Sequence, residues 1–304
     1  MKNTLEYITT RLPDVLPQLQ SFNTKINNEA TYQPVANGRE KIPLLRKVSA
    51  VIITFNEELV ISETLSRLWW CDEIIIIDSG STDRTIHICL EHGCIVYNQE
   101  LSGFGEQKKY GVSQAKNDWI LCIDADELLS EPLIEEIQNE LSKTECSFAA
   151  YEIPLTLVFM QKVFRHGKES RSHKIRLFDK TKGNWDGALV HETVFITGKS
   201  KRLENKILHY SYTSYSQFLK KIDLYSSLSA KKMLSKKHCK NKAVIALGIP
   251  FNFFKYYLID RNFLNGYQGF AWAVLNSIYH FVKYLKVEEL KRNSQLPPAT
   301  QQYL

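Results

Sequence analysis

Carboxylates placed at the ends of apolar runs are the residues best equipped to do chemistry in this chain. Asp124 and Asp126, separated only by Ala125 and followed by Glu127, terminate the run Trp119 to Ile123. Asp78 ends an earlier run, Glu73 to Ile77, and leads into Ser79-Gly80-Ser81-Thr82-Asp83. Paired carboxylates offer hard oxygen donors, which suit a divalent cation shared with substrate phosphates. A single carboxylate at the position of Asp78 suits a base or a ribose hydroxyl. Each also has a plainer reading. Asp-Ala-Asp-Glu can simply open a solvated loop before the next helix, and Asp78 can be a turn-forming Asp before Ser-Gly.

The elements that must position these groups are legible in the apolar pattern. Trp119 to Ile123 is apolar without alternation, as expected of a strand buried on both faces of a parallel sheet. Ligands in open α/β sheets bind at the carboxyl ends of such strands. Val48 to Thr54 predicts the first strand, followed by Asn56 as N-cap of a helix whose Ile61, Leu65, Leu68 and Trp69 share a face. Glu73 to Ile77 is the second strand. Gly80 permits a tight turn, and Ser81 or Thr82 caps a helix carrying Ile86, Cys89 and Leu90. Cys94 to Tyr97 makes a third strand, and Gly103-Phe104-Gly105 opens into a helix bearing Gln107, Lys108 and Lys109. Strand–helix alternation with short connections predicts a parallel sheet with right-handed crossovers. Both Asp78 and the Asp124–Asp126 pair should then converge on one edge of it.

Beyond the acidic cluster, Ser130 and Pro132 start a helix, Phe148 to Leu157 is β-like, and a basic stretch runs from Arg165 to Arg176. A short strand (Ile175 to Phe178), a Gly-bearing turn (Gly183 to Gly187) and Leu189-Val190-His191-Glu192 follow. From about Tyr215 the pattern is helical, rich in Lys and aromatics. Three regions are expected: a helical extension and linker over residues 1–46, a catalytic domain over 47–212, and a basic, aromatic-rich helical region over 213–304. The first of these carries a stripe (Leu5, Ile8, Leu12, Val15, Leu19, Phe22) broken by Pro13 and Pro17, which predicts two short helices.

The bulk composition excludes several classes. With 304 residues, 44% hydrophobic and 24% charged, the chain has the balance of a folded soluble protein. A net charge of +6 permits nucleic acid as a partner, but no nucleic-acid module is recognisable and none is expected to bind. The six cysteines form no C-x-x-C pair and read as reduced core thiols of a cytosolic protein, without zinc. The N-terminal residues lack the continuous apolar segment of a secretory signal, and no uninterrupted apolar run reaches the ~18 residues of a membrane span.

Taken together, Thr54-Phe55-Asn56-Glu57-Glu58, Asp78-Ser79-Gly80-Ser81-Thr82-Asp83, Gly103-Phe104-Gly105-Glu106-Gln107-Lys108 and Asp124-Ala125-Asp126-Glu127 resemble family 2 glycosyltransferases with the GT-A fold. More narrowly, the chain is similar to the WaaE/KdtX-like lipopolysaccharide core glycosyltransferases. Lys174-Ile175-Arg176-Leu177-Phe178, Val190-His191-Glu192 and Asn265-Gly266-Tyr267-Gln268-Gly269-Phe270 fit that subfamily too. The likeness covers about residues 47–290; the first 46 residues depart from it.

The resemblance implies an α/β, Rossmann-like GT-A domain with a helical C-terminal extension, acting as a metal-dependent, inverting hexosyltransferase. Thr54, Asn56 and Glu57 would line the nucleotide pocket, and Asp78 would hold the uracil or ribose. Lys108 would meet donor phosphate or sugar, or else is a helix-surface lysine. Asp126, with Asp124 close to ribose and metal, would bind Mg²⁺ or Mn²⁺, which neutralises charge on a diphosphate leaving group. Glu192 is the candidate base, set against a surface Glu in a hairpin; Asp186 is a weaker rival. His191 would be a metal ligand or a donor to the diphosphate, unless it is a structural histidine. Arg171 and Arg176 could clamp the diphosphate or an acidic acceptor, or belong to a solvated basic loop.

The implied donor is a UDP-hexose, UDP-glucose foremost, and the acceptor an inner-core heptose of lipopolysaccharide. The alternatives are the same machinery acting on another polysaccharide or a protein, or a non-catalytic nucleotide-sugar-binding scaffold. The lysine-rich, aromatic C-terminal third suits a peripheral position on the cytoplasmic face of the inner membrane, or else packs on the catalytic domain or a second subunit.

Overall fold

The computed structural model describes residues 44–101, 103–145, 147–170, 172–186, 192–212, 214–235 and 241–293. In chain order, the strands are β1 (Val48–Thr54), β2 (Glu73–Asp78), β3 (Ile95–Asn98), β4 (Trp119–Asp124), β5 (Glu127–Leu129), β6 (Ala150–Phe159), β7 (Lys162–Val163), β8 (Ser172–Asp179), β9 (Gly183–Trp185), β10 (Val194–Ile196), β11 (Ser200–Arg202) and β12 (Ile207–Tyr212). The helices are α1 (Ile61–Ser66), α2 (Thr85–Glu91), α3 (Phe104–Gln114), α4 (Glu131–Leu141), α5 (Tyr215–Ser235), α6 (Lys242–Phe254) and α7 (Tyr267–Asn293). The chain divides into two compact units. The first runs to Asp126 and takes in Glu131–Glu152 and Ile175–Arg202; the second comprises Glu127–Ser130, Ile153–Lys174 and the chain from Leu203 onward. Residues 153–174 and 203–212 thus belong to the second unit.

The first unit is built on the strand order β3-β2-β1-β4, all parallel, with β8 antiparallel to β4. The β-branched runs Val-Ile-Ile and Ile-Ile-Ile-Ile have no polar face, because helices cover the sheet, and their residues are almost all buried. Register decides where the chemistry falls. Thr54 pairs with Asp78, Asp78 with Asn98, and Ile53 with Asp124, so the polar ends of four strands share one sheet edge. α3 packs closely on this sheet: a Cβ on Gly111 would clash with Val51 Cγ1 and sit 3.0 Å from Ile77 Cγ1. That intimate approach brings Lys108, one turn earlier, against the same sheet. Val51, Ile75, Ile77, Val112, Cys122, Phe178 and Trp185 form the core beneath.

Two local expectations need correcting. Asn56 does not cap a helix: it takes a left-handed φ of 55°, and α1 begins only after Val60. The short amide side chain tolerates that conformation. Nor do Ser81 or Thr82 cap α2, which starts at Thr85 after Arg84. Their polar atoms are drawn to Asn56 and Asp78 instead.

In the second unit, β12 pairs parallel with β6 and antiparallel with β5. A core of aromatic rings, Phe159, Phe164, Phe218 and Trp272 with Tyr212 beside them, sits under these strands. α7 packs along both α5 and α6. Pro250 lies inside α6. Among the described residues, no helix is long and apolar enough to cross a membrane.

Candidate active site

The loops after β1 and β2 are stitched together by side chains. Asp78, wholly buried, accepts four hydrogen bonds: from Thr54 Oγ1 (2.9 Å) and Ser81 Oγ (2.5 Å) at Oδ1, and from the amides of Gly80 (2.9 Å) and Ser81 (2.7 Å) at Oδ2. Asn56 Oδ1 accepts from the Thr82 amide at 2.8 Å, and the Asn56 amide donates to Ser81 Oγ at 2.9 Å. The Glu57 amide donates to Thr85 Oγ1 at 2.8 Å. Asp83 accepts from Thr85 and from the Glu58 amide, and these bonds hold its carboxyl below the usual range although burial works the other way. A carboxylate has about four acceptor positions, so Asp78 is filled by its own loop. It organises the loop, and direct contact with a ribose would require one of these donors to exchange.

At the end of β4 an ionic cluster forms. Lys108, 1% exposed, donates to Glu192 Oε1 at 2.7 Å and ion-pairs with Asp124 Oδ1 at 2.8 Å. Arg176, also buried, donates from Nη2 to Asp124 Oδ2 at 3.1 Å. The surface reading of Lys108 is therefore wrong: α3 turns this residue inward, and two carboxylates compensate the desolvated ammonium. Burial disfavours its charge, but Asp124, Cys122 and Glu192 outweigh burial and the neighbouring Arg176, raising it above the ordinary lysine value. Glu192 follows a segment outside the described residues and precedes β10, which pairs antiparallel with β9.

The sequence reading missed Trp185. It ends β9, is 3% exposed, and lies under Lys108 Nζ at 4.7 Å and Arg176 Cζ at 6.0 Å from its ring centroid. Both cations meet an aromatic face, a favourable contact when desolvated. Its position within a Gly-Asn-Trp-Asp-Gly turn gave no hint of burial; only the hairpin pairing of β9 with β10 produces it.

Asp126 lies in the turn just past β4, half-buried. Lys108 and Arg176 balance Asp124 and Glu192 in charge, and Asp126 follows this cluster two residues after Asp124. Hard carboxylate oxygens at a sheet edge are the donor chemistry of Mg²⁺ or Mn²⁺, and Asp124 and Asp126 would be the residues to hold such an ion. Among the described residues no group of three or more His, Cys, Asp or Glu converges. The predicted ligand His191 and the predicted clamp Arg171 lie outside the described residues. Asp186 accepts from Thr193 Oγ1 at 2.7 Å, across the β9–β10 hairpin.

Parallel strands ending in a shared polar edge, with the Asp-Ala-Asp turn beside a buried lysine, thus make up the candidate site, and the sequence comparison gives its family. Residues 49–206 match the model of glycosyl transferase family 2, and the chain belongs to that family. Its fold is accordingly GT-A-like, with a C-terminal helical extension. An uncharacterized glycosyltransferase of Rickettsia typhi is 30% identical over 86% of this chain and 93% of its own. The lipopolysaccharide core biosynthesis glycosyltransferase LpsC of Rhizobium meliloti is 25% identical over 81% of this chain and 92% of its own. Among solved structures, glucosyl-3-phosphoglycerate synthase from Mycobacterium tuberculosis, in complex with Mn²⁺ and UDP-glucose, is 24% identical over 36% of this chain and 44% of that one, with a TM-score of 0.32.

Proposed function

We propose that this glycosyltransferase moves a hexose, glucose from UDP-glucose, onto an inner-core heptose of lipopolysaccharide with inversion at the anomeric carbon. The near full-length similarity to a lipopolysaccharide core enzyme supports the acceptor class. The observation that carries the chemistry is the Lys108–Glu192 pair beside Asp124 and Asp126. Glu192 is the base. Lys108 fixes its Oε1, leaving Oε2 to take the proton as the acceptor oxygen bonds to the anomeric carbon and the bond to the diphosphate breaks. Arg176 and Lys108 supply fixed positive charge where the leaving group gains negative charge. Asp126, with Asp124 close by and His191 as a third ligand, would hold a divalent cation, which supplies Lewis-acid neutralisation of the diphosphate. Thr54, Asn56, Glu57 and Asp78 form the nucleotide rim, with Asp78 acting mainly through the loop that it organises.

Purified protein assayed with UDP- and ADP-sugars, heptose-containing core acceptors and Mg²⁺ or Mn²⁺ tests this reading. A glucosylated heptose of inverted anomeric configuration is the expected product. Turnover of only a different sugar nucleotide overturns the glucose assignment, and full activity in excess chelator overturns the metal.

The proposed site of action is the cytoplasmic face of the inner membrane. Lys231, Lys232, Lys236, Lys237, Lys240, Lys242 and Lys255 occur with no Asp or Glu between Asp223 and Asp260. Leu247, Phe251, Ile259 and Tyr267 are each at least 66% exposed. Cationic and apolar groups together suit an anionic lipid surface. Sedimentation with phosphatidylglycerol vesicles, weakened by salt, is the expected result; no binding at low salt removes the proposal.

A further inference from the structure

Two stretches singled out in the sequence, the start of the basic segment from Arg165 to Lys168 and Asn265-Gly266-Tyr267-Gln268-Gly269-Phe270, take no part in the chemistry above, yet the second unit joins them. Asn265 Oδ1 accepts from the amides of Arg165 (3.1 Å) and His166 (3.3 Å), and its Nδ2 donates to the His166 carbonyl at 2.9 Å. Asn262, fully buried, donates to Glu169 Oε2 at 3.4 Å and to the Tyr256 carbonyl at 3.0 Å. Trp272 Nε1 donates to Glu169 Oε1 at 3.0 Å. Gly167, at a φ of +98°, lets the loop turn tightly against Asn262. Four side chains or backbone turns thus cooperate to aim one carboxylate.

Glu169 lines a cavity of about 230 Å³ together with Leu155, Leu157, Ser172, His209, Ser211, Tyr212 and Trp272. That volume lies below the ~300–1,000 Å³ of sites for drug-sized ligands and is on the scale of a single ring. The Ser172 and Ser211 hydroxyls make no hydrogen bond among the described residues and border this space. Each Glu169 oxygen carries one protein donor and retains acceptor capacity. The walls therefore set a two-oxygen acceptor, two hydroxyls able to give or take and an imidazole against a larger apolar share from Leu155, Leu157 and the aromatic rings. That complement fits a neutral polyhydroxylated ring. It disfavours a nucleoside diphosphate, whose anionic oxygens would face the carboxylate.

The geometry points to a glycan-binding subsite in the second unit that takes one neutral sugar ring, with Glu169 pairing to ring hydroxyls and Trp272 or Tyr212 against the apolar ring edge. Its assignment to the acceptor glycan rests on the transferase reading above; the ligand class does not.

The test uses the full-length protein without donor. Binding of a dephosphorylated, heptose-containing core oligosaccharide is followed by saturation-transfer NMR and titration calorimetry, with UDP-glucose in a parallel arm. Ser172→Ala and Ser211→Ala, each checked for unchanged thermal unfolding, are expected to weaken oligosaccharide binding about tenfold, the scale of one or two lost hydrogen bonds, without altering UDP-glucose affinity. Glu169→Gln, which keeps a partner for Trp272, should weaken it as well. Absence of saturable oligosaccharide binding, or identical affinity in folded variants, overturns the subsite. Weakened UDP-glucose binding in the same variants overturns the acceptor assignment. Because no turnover is measured, an incorrect donor assignment leaves this test intact.

Discussion

Replacing Lys108 by Met removes one cation from between two carboxylates while keeping the length and apolar stem of the side chain. Lys108 is 1% exposed, whereas Asp124 and Glu192 are 29% and 17% exposed. Removing one member of a fully buried pair costs about 3–5 kcal/mol. Here Arg176 still compensates Asp124, and both carboxylates reach some solvent, so the expected loss is smaller, about 2–3 kcal/mol. Urea unfolding should show it as a lowered midpoint at unchanged slope. Combining Lys108→Met with Glu192→Gln should cost less than the sum of the two by about 1 kcal/mol or more, because the residues are in direct contact. Strict additivity, or a Lys108→Met cost within about 0.5 kcal/mol, the range of ordinary surface substitutions, would refute the coupled cluster. The pH dependence gives a second check. The folded-state lysine titrates above its ordinary value, so its stabilisation is complete below pH ~10.4 and is lost as pH rises through the higher folded value. The stability gap between wild type and Lys108→Met should therefore hold from pH 7 to 10 and close only beyond.

Further outcomes follow from the same geometry. Glu192→Gln keeps an acceptor for Lys108 and should fold normally while kcat falls about 10²–10⁴-fold; an unchanged kcat removes Glu192 as the base. Asp126→Ala should weaken Mn²⁺ binding in titrations followed by electron paramagnetic resonance, and should reduce transfer with it; unaltered Mn²⁺ affinity places the ion elsewhere. Gly111→Ala pushes a methyl into Val51 and should cost about 1–3 kcal/mol in thermal or urea unfolding, with near-neutral behaviour contradicting the tight α3–sheet contact. Burial, reinforced by Asp78 and Asp83, pushes the Cys89 thiol up to about 12. Native Cys89 should accordingly resist alkylation at pH 8.5 and react only after unfolding, as mass spectrometry of the labelled peptide would show.

What could be foreseen and what could not divides by physical origin. The strand ends were legible because a doubly buried strand tolerates no polar residue until it leaves the sheet, so Asp78 and Asp124 mark their own positions. The order of strands and helices then forced both onto one edge. Loop interiors were illegible for the opposite reason. Asn56, Ser81 and Thr82 have the composition of helix caps, but the same side chains serve equally well as cross-loop ties, and only the proximity of two loops decides between them. The inward position of Lys108 is illegible because helical periodicity cannot show that two distant carboxylates await the ammonium. Glu192 lies 84 residues further along the chain, a separation across which no pattern operates.

Trp185 shows why that cluster needs its surroundings as much as its charges. An ammonium and a guanidinium placed beside each other repel, and each is removed from water; two carboxylates cancel the charge but leave the ions poorly solvated at their inner side. The Trp185 ring lies on that side, where its face gives both cations a weakly polar contact that packs like core. Trp185→Leu would preserve apolar volume in part but remove this face. The expected consequence is a larger loss in kcat than in stability, since Lys108 and Arg176 would remain paired yet lose their fixed orientation toward the leaving group. Trp185→Phe retains a ring and should recover most of the activity. If Leu and Phe behave alike, the ring acts only by filling space, and the electrostatic part of its role is wrong.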